Sequence, residues 1–188
     1  MEKSYRTFIG LPFQVEPEFL EARQELIATL AGERISWVEP ERYHVTIRFL
    51  GDTERPLIGE IGKRLQDGIS MPDNTRLKLN TLGSFGPRKR PRVLWVGFEQ
   101  TDFFELIKAQ VDLALEQCGI SRAEHPFRAH LTLGRVRSLK NIVQYYNTIQ
   151  DLARHFQSYV LFEKLVFFRS ILGPGGPDYQ VLEMIRFR

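Results

Sequence analysis

The sequence predicts an α+β fold: two pseudo-symmetric lobes of antiparallel sheet, helices packed outside them and a cleft between. Three observations lead there. His44-Val45-Thr46-Ile47 recurs as His130-Leu131-Thr132-Leu133, an interval of 86 residues from 44 to 130, and self-similarity at a fixed interval marks a repeated structural unit. Segments that alternate every second residue are interleaved with segments of helical spacing. In each copy, two strand-like segments also follow one another through a short turn, around 84–90 and 173–177. Antiparallel strands can be joined that way, whereas parallel strands need a crossover of a dozen residues or more.

The elements follow in order. Residues 6–11 form a strand that Pro12 ends, because proline offers no N–H to a ladder. Residues 16–31 form an amphipathic helix with Phe19, Leu20, Arg23, Ile27 and Leu30 near helical spacing and Gly32 as its stop. A strand over 43–50 closes at Gly51-Asp52, and the helix over 54–69 carries Leu57, Ile58, Ile61, Leu65 and Ile69 as one stripe. Strands over 76–82 and 91–98 come next, then a helix over 103–117 with Gly119 past its end. The second copy has a strand over 130–136, a helix over 142–155, one long strand over 159–172 and a last strand over 179–187. Gly173-Pro174-Gly175-Gly176-Pro177 is the turn before it.

Other landmarks share the interval: Arg6-Thr7-Phe8-Ile9 falls on Arg92-Val93-Leu94-Trp95, Leu77-Lys78-Leu79 on Glu163-Lys164-Leu165, and Pro91 on Pro177. Two such units leave about one strand over, so residues 1–188 are expected to form a single bilobal domain built by internal duplication.

Composition removes several classes. With 188 residues, 43% hydrophobic and 26% charged, the chain can bury a real core, which excludes disorder, collagen and coiled coil. Its one cysteine, Cys118, can form no internal bridge, and a reducing cytoplasm is the expected compartment. Cys118 ends an apolar helix face and reads as core. No apolar run approaches the roughly 20 residues of a membrane span, and Met1-Glu2-Lys3-Ser4-Tyr5-Arg6 lacks the order of a signal peptide. No membrane partner is expected. The net charge of +3 mildly favours a polyanionic partner.

Residues two apart on a strand share a face. His44 and Thr46 therefore point one way while Val45 and Ile47 point into the core, and His130 and Thr132 repeat the pattern. Two imidazoles and two hydroxyls converging across one cleft suit phosphodiester cleavage. One imidazole, neutral, activates the nucleophile; the other, charged, protonates the departing oxygen. The hydroxyls donate hydrogen bonds to the phosphate oxygens. The competing reading makes each pair an inherited structural feature of its copy, but the apolar residues sit at the other parity. Zinc needs a third and usually a fourth ligand, and His125 and His155 lie at no motif spacing, so no metal is expected. His155 reads as decorating a helix end, and His125 as a loop residue at the cleft rim. No Gly-x-Ser-x-Gly elbow and no Gly-x-Gly-x-x-Gly loop occurs.

At these residues the sequence resembles the 2H phosphoesterases, and within them the RNA 2′,3′-cyclic phosphodiesterases, also called 2′-5′ RNA ligases. The resemblance spans essentially the whole chain. It includes Arg6-Thr7-Phe8-Ile9-Gly10-Leu11-Pro12, His44-Val45-Thr46-Ile47-Arg48-Phe49-Leu50-Gly51, Pro91-Arg92-Val93-Leu94-Trp95-Val96-Gly97 and Phe127-Arg128-Ala129-His130-Leu131-Thr132-Leu133-Gly134-Arg135. It implies a bilobal α+β fold, and opening of a terminal RNA 2′,3′-cyclic phosphate to a 2′-phosphate with no metal or cofactor, together with reversible 2′-5′ ligation. It also implies His44 as proton donor, His130 as proton acceptor, and Thr46, Thr132 and Arg135 as substrate contacts.

An offset of five turns Arg135 away from His130 on a regular strand, unless a bulge at Gly134 turns it back. Arg48 shares parity with His44 and is either a cleft or a solvated residue. Ala129 stands where the family often has proline. Phe8, Phe85, Phe127 and Tyr43 are either core residues or base platforms; Arg88-Lys89-Arg90, with Arg92 beyond, is either a solvated loop or a hold on the RNA backbone. The expected partners are RNA ends or small cyclic-phosphate nucleotides, bound by a monomer. The alternatives are a phosphodiesterase of a small nucleotide, such as a 2′-5′ oligoadenylate or ADP-ribose cyclic phosphate, and a non-catalytic RNA-binding module.

Overall fold

Alternating strands and helices assemble here into one curled antiparallel sheet with helices on its outer side. The computed structural model describes residues 3–70, 75–124, 126–173 and 176–187. Met1, Glu2, His125, Pro174 and Gly175 of the sequence reading lie outside them. In chain order the elements are β1 (Ser4–Pro12), α1 (Pro17–Thr29), β2 (Arg34–Trp37), a 3₁₀ turn (Pro40–Arg42), β3 (His44–Glu54) and α2 (Arg55–Gly68). They continue with β4 (Arg76–Phe85), β5 (Val93–Phe98), α3 (Asp102–Glu116), β6 (His130–Ser138) and α4 (Ile142–Leu152). A second 3₁₀ turn (Ala153–Phe156), β7 (Ser158–Leu161), β8 (Lys164–Gly173) and β9 (Gly176–Arg186) complete the chain.

The strand order is β7-β4-β5-β6-β3-β1-β8-β9, with β2 added to β6. At the centre, β3 and β6 meet through one registered pair, Val45 with Leu131. Strands on either side of that seam form the two lobes, β3-β1-β8-β9 and β6-β5-β4-β7. Helices α2 and α3 pack together over β3, while α1 and α4 pack together with the second 3₁₀ turn near β4. Each lobe thus mixes early and late chain: β8 completes the lobe of β1, and β4 that of β5. The core lies between sheet and helices. Val45, Leu131, Leu133, Ile61, Leu65, Phe104, Ile107 and Val111 are almost fully buried there, each worth about 1.5–3 kcal/mol of hydrophobic stabilisation.

Beyond shifts of up to four residues at element ends, such as β3 running on to Glu54, β4 to Phe85 and β9 starting at Gly176, three features differ from the sequence reading. The expected single strand over 159–172 is two strands in different lobes, β7 on β4 and β8 on β1. The reason is Phe162 between them: it is buried, with its ring centroid 5.2 Å from Phe13 and 5.4 Å from both Phe103 and Phe104, so the chain crosses the core at this anchor. The helix expected over 142–155 ends at Leu152, and the 3₁₀ turn that follows buries Phe156 against Phe19, centroids 5.2 Å apart. Arg34–Trp37 pairs with β6 as a short strand absent from the sequence reading, being only four residues on an edge.

Pairing register also refines the repeat. Gly10 faces Thr46 and Trp95 faces Thr132, which relates β1 to β5 by 85 residues while the His-x-Thr strands are related by 86 (44 to 130).

Candidate active site

The seam pair sets the site. Continuing its register one residue each way puts His44 opposite Thr132 and Thr46 opposite His130. Residues opposite one another in an antiparallel pair share a face, so all four point to the side away from buried Val45 and Leu131. The two histidines then lie on one diagonal of the seam and the two threonines on the other. A local twofold passes through the Val45–Leu131 pair.

Beyond the threonines, both strands carry a bulge at the same place. In β3 the partners step from Thr46 to Arg48 while β1 moves only from Gly10 to Ile9, leaving Ile47 extra. In β6 they step from Thr132 to Gly134 while β5 moves from Trp95 to Leu94, leaving Leu133 extra. An extra residue reverses the parity of everything beyond it. Arg135 is thereby brought back to the side of Thr132, and it lines the same cavity as His44, Thr46 and Thr132. Gly134 is needed beside it: a Cβ there would sit 2.7 Å from Ile35 Cγ2 and 3.2 Å from Trp37 Cε3.

The bulge sends Arg48 the other way. It is buried, neither in the cleft nor solvated as the two readings had it. Its Nη2 donates to the Ser121 carbonyl at 2.5 Å, and Nη1 lies 3.9 Å from Asp112 Oδ1 of α3, a buried carboxylate that Lys108 also contacts.

Each histidine donates from Nδ1 to the carbonyl two residues before it: His44 to Arg42 and His130 to Arg128, both at 2.8 Å. A carbonyl can only accept, so the bond fixes the Nδ1–H tautomer of the neutral ring and leaves Nε2 for chemistry. Around His44 stand Phe8, centroid 5.0 Å away, and Tyr179, edge-on at 5.2 Å. His130 meets Phe85 edge-on at 4.8 Å, and Phe85 stacks on Trp95 at 5.0 Å. Burial pushes both imidazoles below their ordinary 6.5. The backbone bonds oppose this, and nearby positive charge adds to it: His130 and Arg135 on His44, Arg128 and Arg135 on His130. His44 thus feels His130, and both rings feel a common guanidinium, that of Arg135.

A cavity of about 450 Å³ opens at this face. His44, Thr46, Thr132 and Arg135 line it, joined by Arg6, Phe8, Phe49, Arg42, Arg137 and Tyr179; His130 is not part of the lining, although Leu131, next to it in the chain, is. An adjoining cavity of about 350 Å³ shares Arg42, His44 and Tyr179. Tyr179 and Arg42 lie in no motif segment, and Arg6 and Phe49 lie within motif segments without being marked as site residues by them; pairing register brings β1 and β9 to the site. Of the aromatics left open there, Phe8 and Tyr43 are buried, Phe127 packs on the core, and Phe85 is half-buried against His130. Arg88, Lys89 and Arg90 are exposed outside both cavities, and His155 pairs with Glu25 at 3.0 Å. Cys118 is partly buried against the core. Among the described residues, no three His, Cys, Asp or Glu side chains are grouped to hold a metal ion.

A curled antiparallel sheet holding two facing His-x-Thr pairs defines a 2H phosphoesterase. The family model of LigT-like phosphoesterases matches residues 9–95 and 99–179. A curated RNA 2′,3′-cyclic phosphodiesterase of Thermotoga maritima is 30% identical over 97% of this chain and 95% of its own. Another, of Aeropyrum pernix, is 30% identical over 82% of this chain and 88% of its own. The chain belongs to the LigT-like phosphoesterase family. Solved structures share the fold: a Thermus thermophilus protein (TM-score 0.68, 24% identity, 97% of this chain and 98% of that one) and E. coli LigT complexed with 3′-AMP (TM-score 0.69, 18% identity, 98% of each).

Proposed function

We propose that this chain hydrolyses the terminal 2′,3′-cyclic phosphate of RNA to a 2′-phosphate, without a metal ion, and carries a minor, reversible 2′-5′ ligation in which a 5′-hydroxyl attacks the cyclic phosphate in place of water. The observation that carries it is the seam pair Val45–Leu131, which turns both imidazoles and both threonine hydroxyls to one face. His130 Nε2 takes the proton of the attacking water. His44 Nε2 gives its proton to the 3′-oxygen as the P–O bond breaks; the roles are the same when a 5′-hydroxyl replaces water, and the ring nitrogens exchange them when a 2′-5′ linkage is cleaved back to the cyclic phosphate. Thr46, Thr132 and Arg135 hold the non-bridging oxygens, where charge accumulates. The activity for which the two relatives are named supports this chemistry. The expected setting is the cytoplasm, with the enzyme acting as a monomer of one duplicated domain; no helix is long and apolar enough to cross a membrane among the described residues.

The test is product mapping. RNA ending in a cyclic phosphate, incubated in excess chelator, should give a 2′-phosphate. A 3′-phosphate would reverse the two oxygens' roles. Failure to turn over RNA beside rapid turnover of a 2′-5′ oligoadenylate or ADP-ribose cyclic phosphate would favour the small-nucleotide reading. Binding without turnover of any of them would favour the non-catalytic one.

A further inference from the structure

The larger cavity carries more positive charge than one phosphate uses. Arg6, Arg42, Arg135 and Arg137 line it, and no aspartate or glutamate does. Among the described residues, no carboxylate is within ion-pairing distance of Arg6, Arg42 or Arg135. A cyclic phosphate brings one negative charge, which Arg135 and the threonines already meet.

The first lobe shows where the surplus belongs. Three residues past its threonine, the place of Arg135 in β6 is taken in β3 by Phe49. Phe49 is paired with Phe8 of neighbouring β1 and lines the cavity, yet the residue is 50% exposed. The cation comes instead from β1: Arg6 Cζ lies 4.7 Å from the centre of the Phe49 ring. Arg6 sits one strand repeat, about 7 Å, beyond Phe8, and Phe8 is packed on His44. Arg6 thus lies over the Phe49 ring, yet half of the residue's surface stays exposed, and an exposed aromatic ring with an adjoining guanidinium is the pairing that binds one base and one phosphate of a single strand.

Resting on the reading of the seam as the phosphodiesterase centre, we infer that Phe49 and Arg6 form a subsite for the nucleotide upstream of the cyclic end. Phe49 stacks its base and Arg6 meets its phosphodiester.

Binding of unreactive products tests the subsite apart from turnover. Calorimetry would compare a trinucleotide ending in a 2′-phosphate with a nucleoside 2′-phosphate, in the wild type and in Arg6→Gln, Phe49→Ala and Arg135→Gln. The trinucleotide should bind about tenfold or more tightly than the nucleoside. Arg6→Gln and Phe49→Ala should each remove most of that ratio, and the Arg6→Gln loss should shrink as salt is raised. Arg135→Gln should weaken both ligands and keep the ratio. A wild-type ratio near one overturns the subsite, as does a ratio that neither variant changes. A loss with Arg6→Gln alone overturns the stacked base. A ratio that persists in a protein unable to turn over cyclic-ended RNA would sink the proposed function and leave the subsite standing.

Discussion

Two histidines carry the same backbone bond in different aromatic surroundings, and both are shifted the same way. A general base must be neutral, so its contribution appears as pH rises through its pKa. A general acid must be charged, so its contribution fades as pH rises through its own. With both imidazoles below 6.5, the bell-shaped kcat/KM profile of the free enzyme should have both limbs on the acid side of that value, as the macroscopic titration of a coupled pair. Arg135 lowers both pKa values by its charge. Arg135→Gln should therefore move both limbs to higher pH while reducing the rate; limbs that stay in place would remove Arg135 from the electrostatics of the pair. His44→Gln and His130→Gln should each lower kcat by about 10²–10⁴, with circular dichroism and melting temperature close to wild type.

At the scale of single elements, the bulges decide what faces the cleft. Gly134→Ala would press a methyl group into Ile35 and Trp37, which costs about 1–3 kcal/mol of stability and displaces β2 or straightens β6. Chemical denaturation and kcat, measured together, should both fall. A fully stable variant with normal kcat would show that Arg135 does not depend on the bulge. The other outcome of bulging is the buried Arg48–Asp112 pair. Its 3.9 Å separation is long, and Arg48 Nε and Nη1 and Asp112 Oδ1 make no hydrogen bond among the described residues. Arg48→Met alone should destabilise by about 1–3 kcal/mol, because it strips the Ser121 carbonyl of its donor while Lys108 still neutralises Asp112, whereas Arg48→Met with Asp112→Leu should recover none of that loss, because it takes the carboxylate from Lys108. A double-mutant cycle in urea would measure the difference.

Over the whole molecule, the sequence was informative wherever chemistry repeats. His44, Thr46, His130 and Thr132 stood out because alternation and recurrence both marked them; Arg135 came only from the family resemblance, against strict alternation, with Gly134 as the place where a bulge could return it to the cleft. Arg48 was ambiguous because strict alternation does not announce the extra Ile47. Phe49, Arg6 and Tyr179 were silent, since their place depends on which strands pair. The break at Phe162 was hidden in an unbroken apolar run, where nothing local distinguishes one strand from two.

The exchange of β4 and β8 between lobes has a consequence for synthesis. As the chain leaves the ribosome, β1 and β3 emerge early, but the strand that covers the outer edge of β1 is β8, which begins at Lys164. The first lobe therefore waits, with one edge bare, until almost all of the 188 residues have been made. A nascent chain stalled after β7 should remain sensitive to protease in β1, and protection there should arrive abruptly once β8 and β9 clear the exit tunnel.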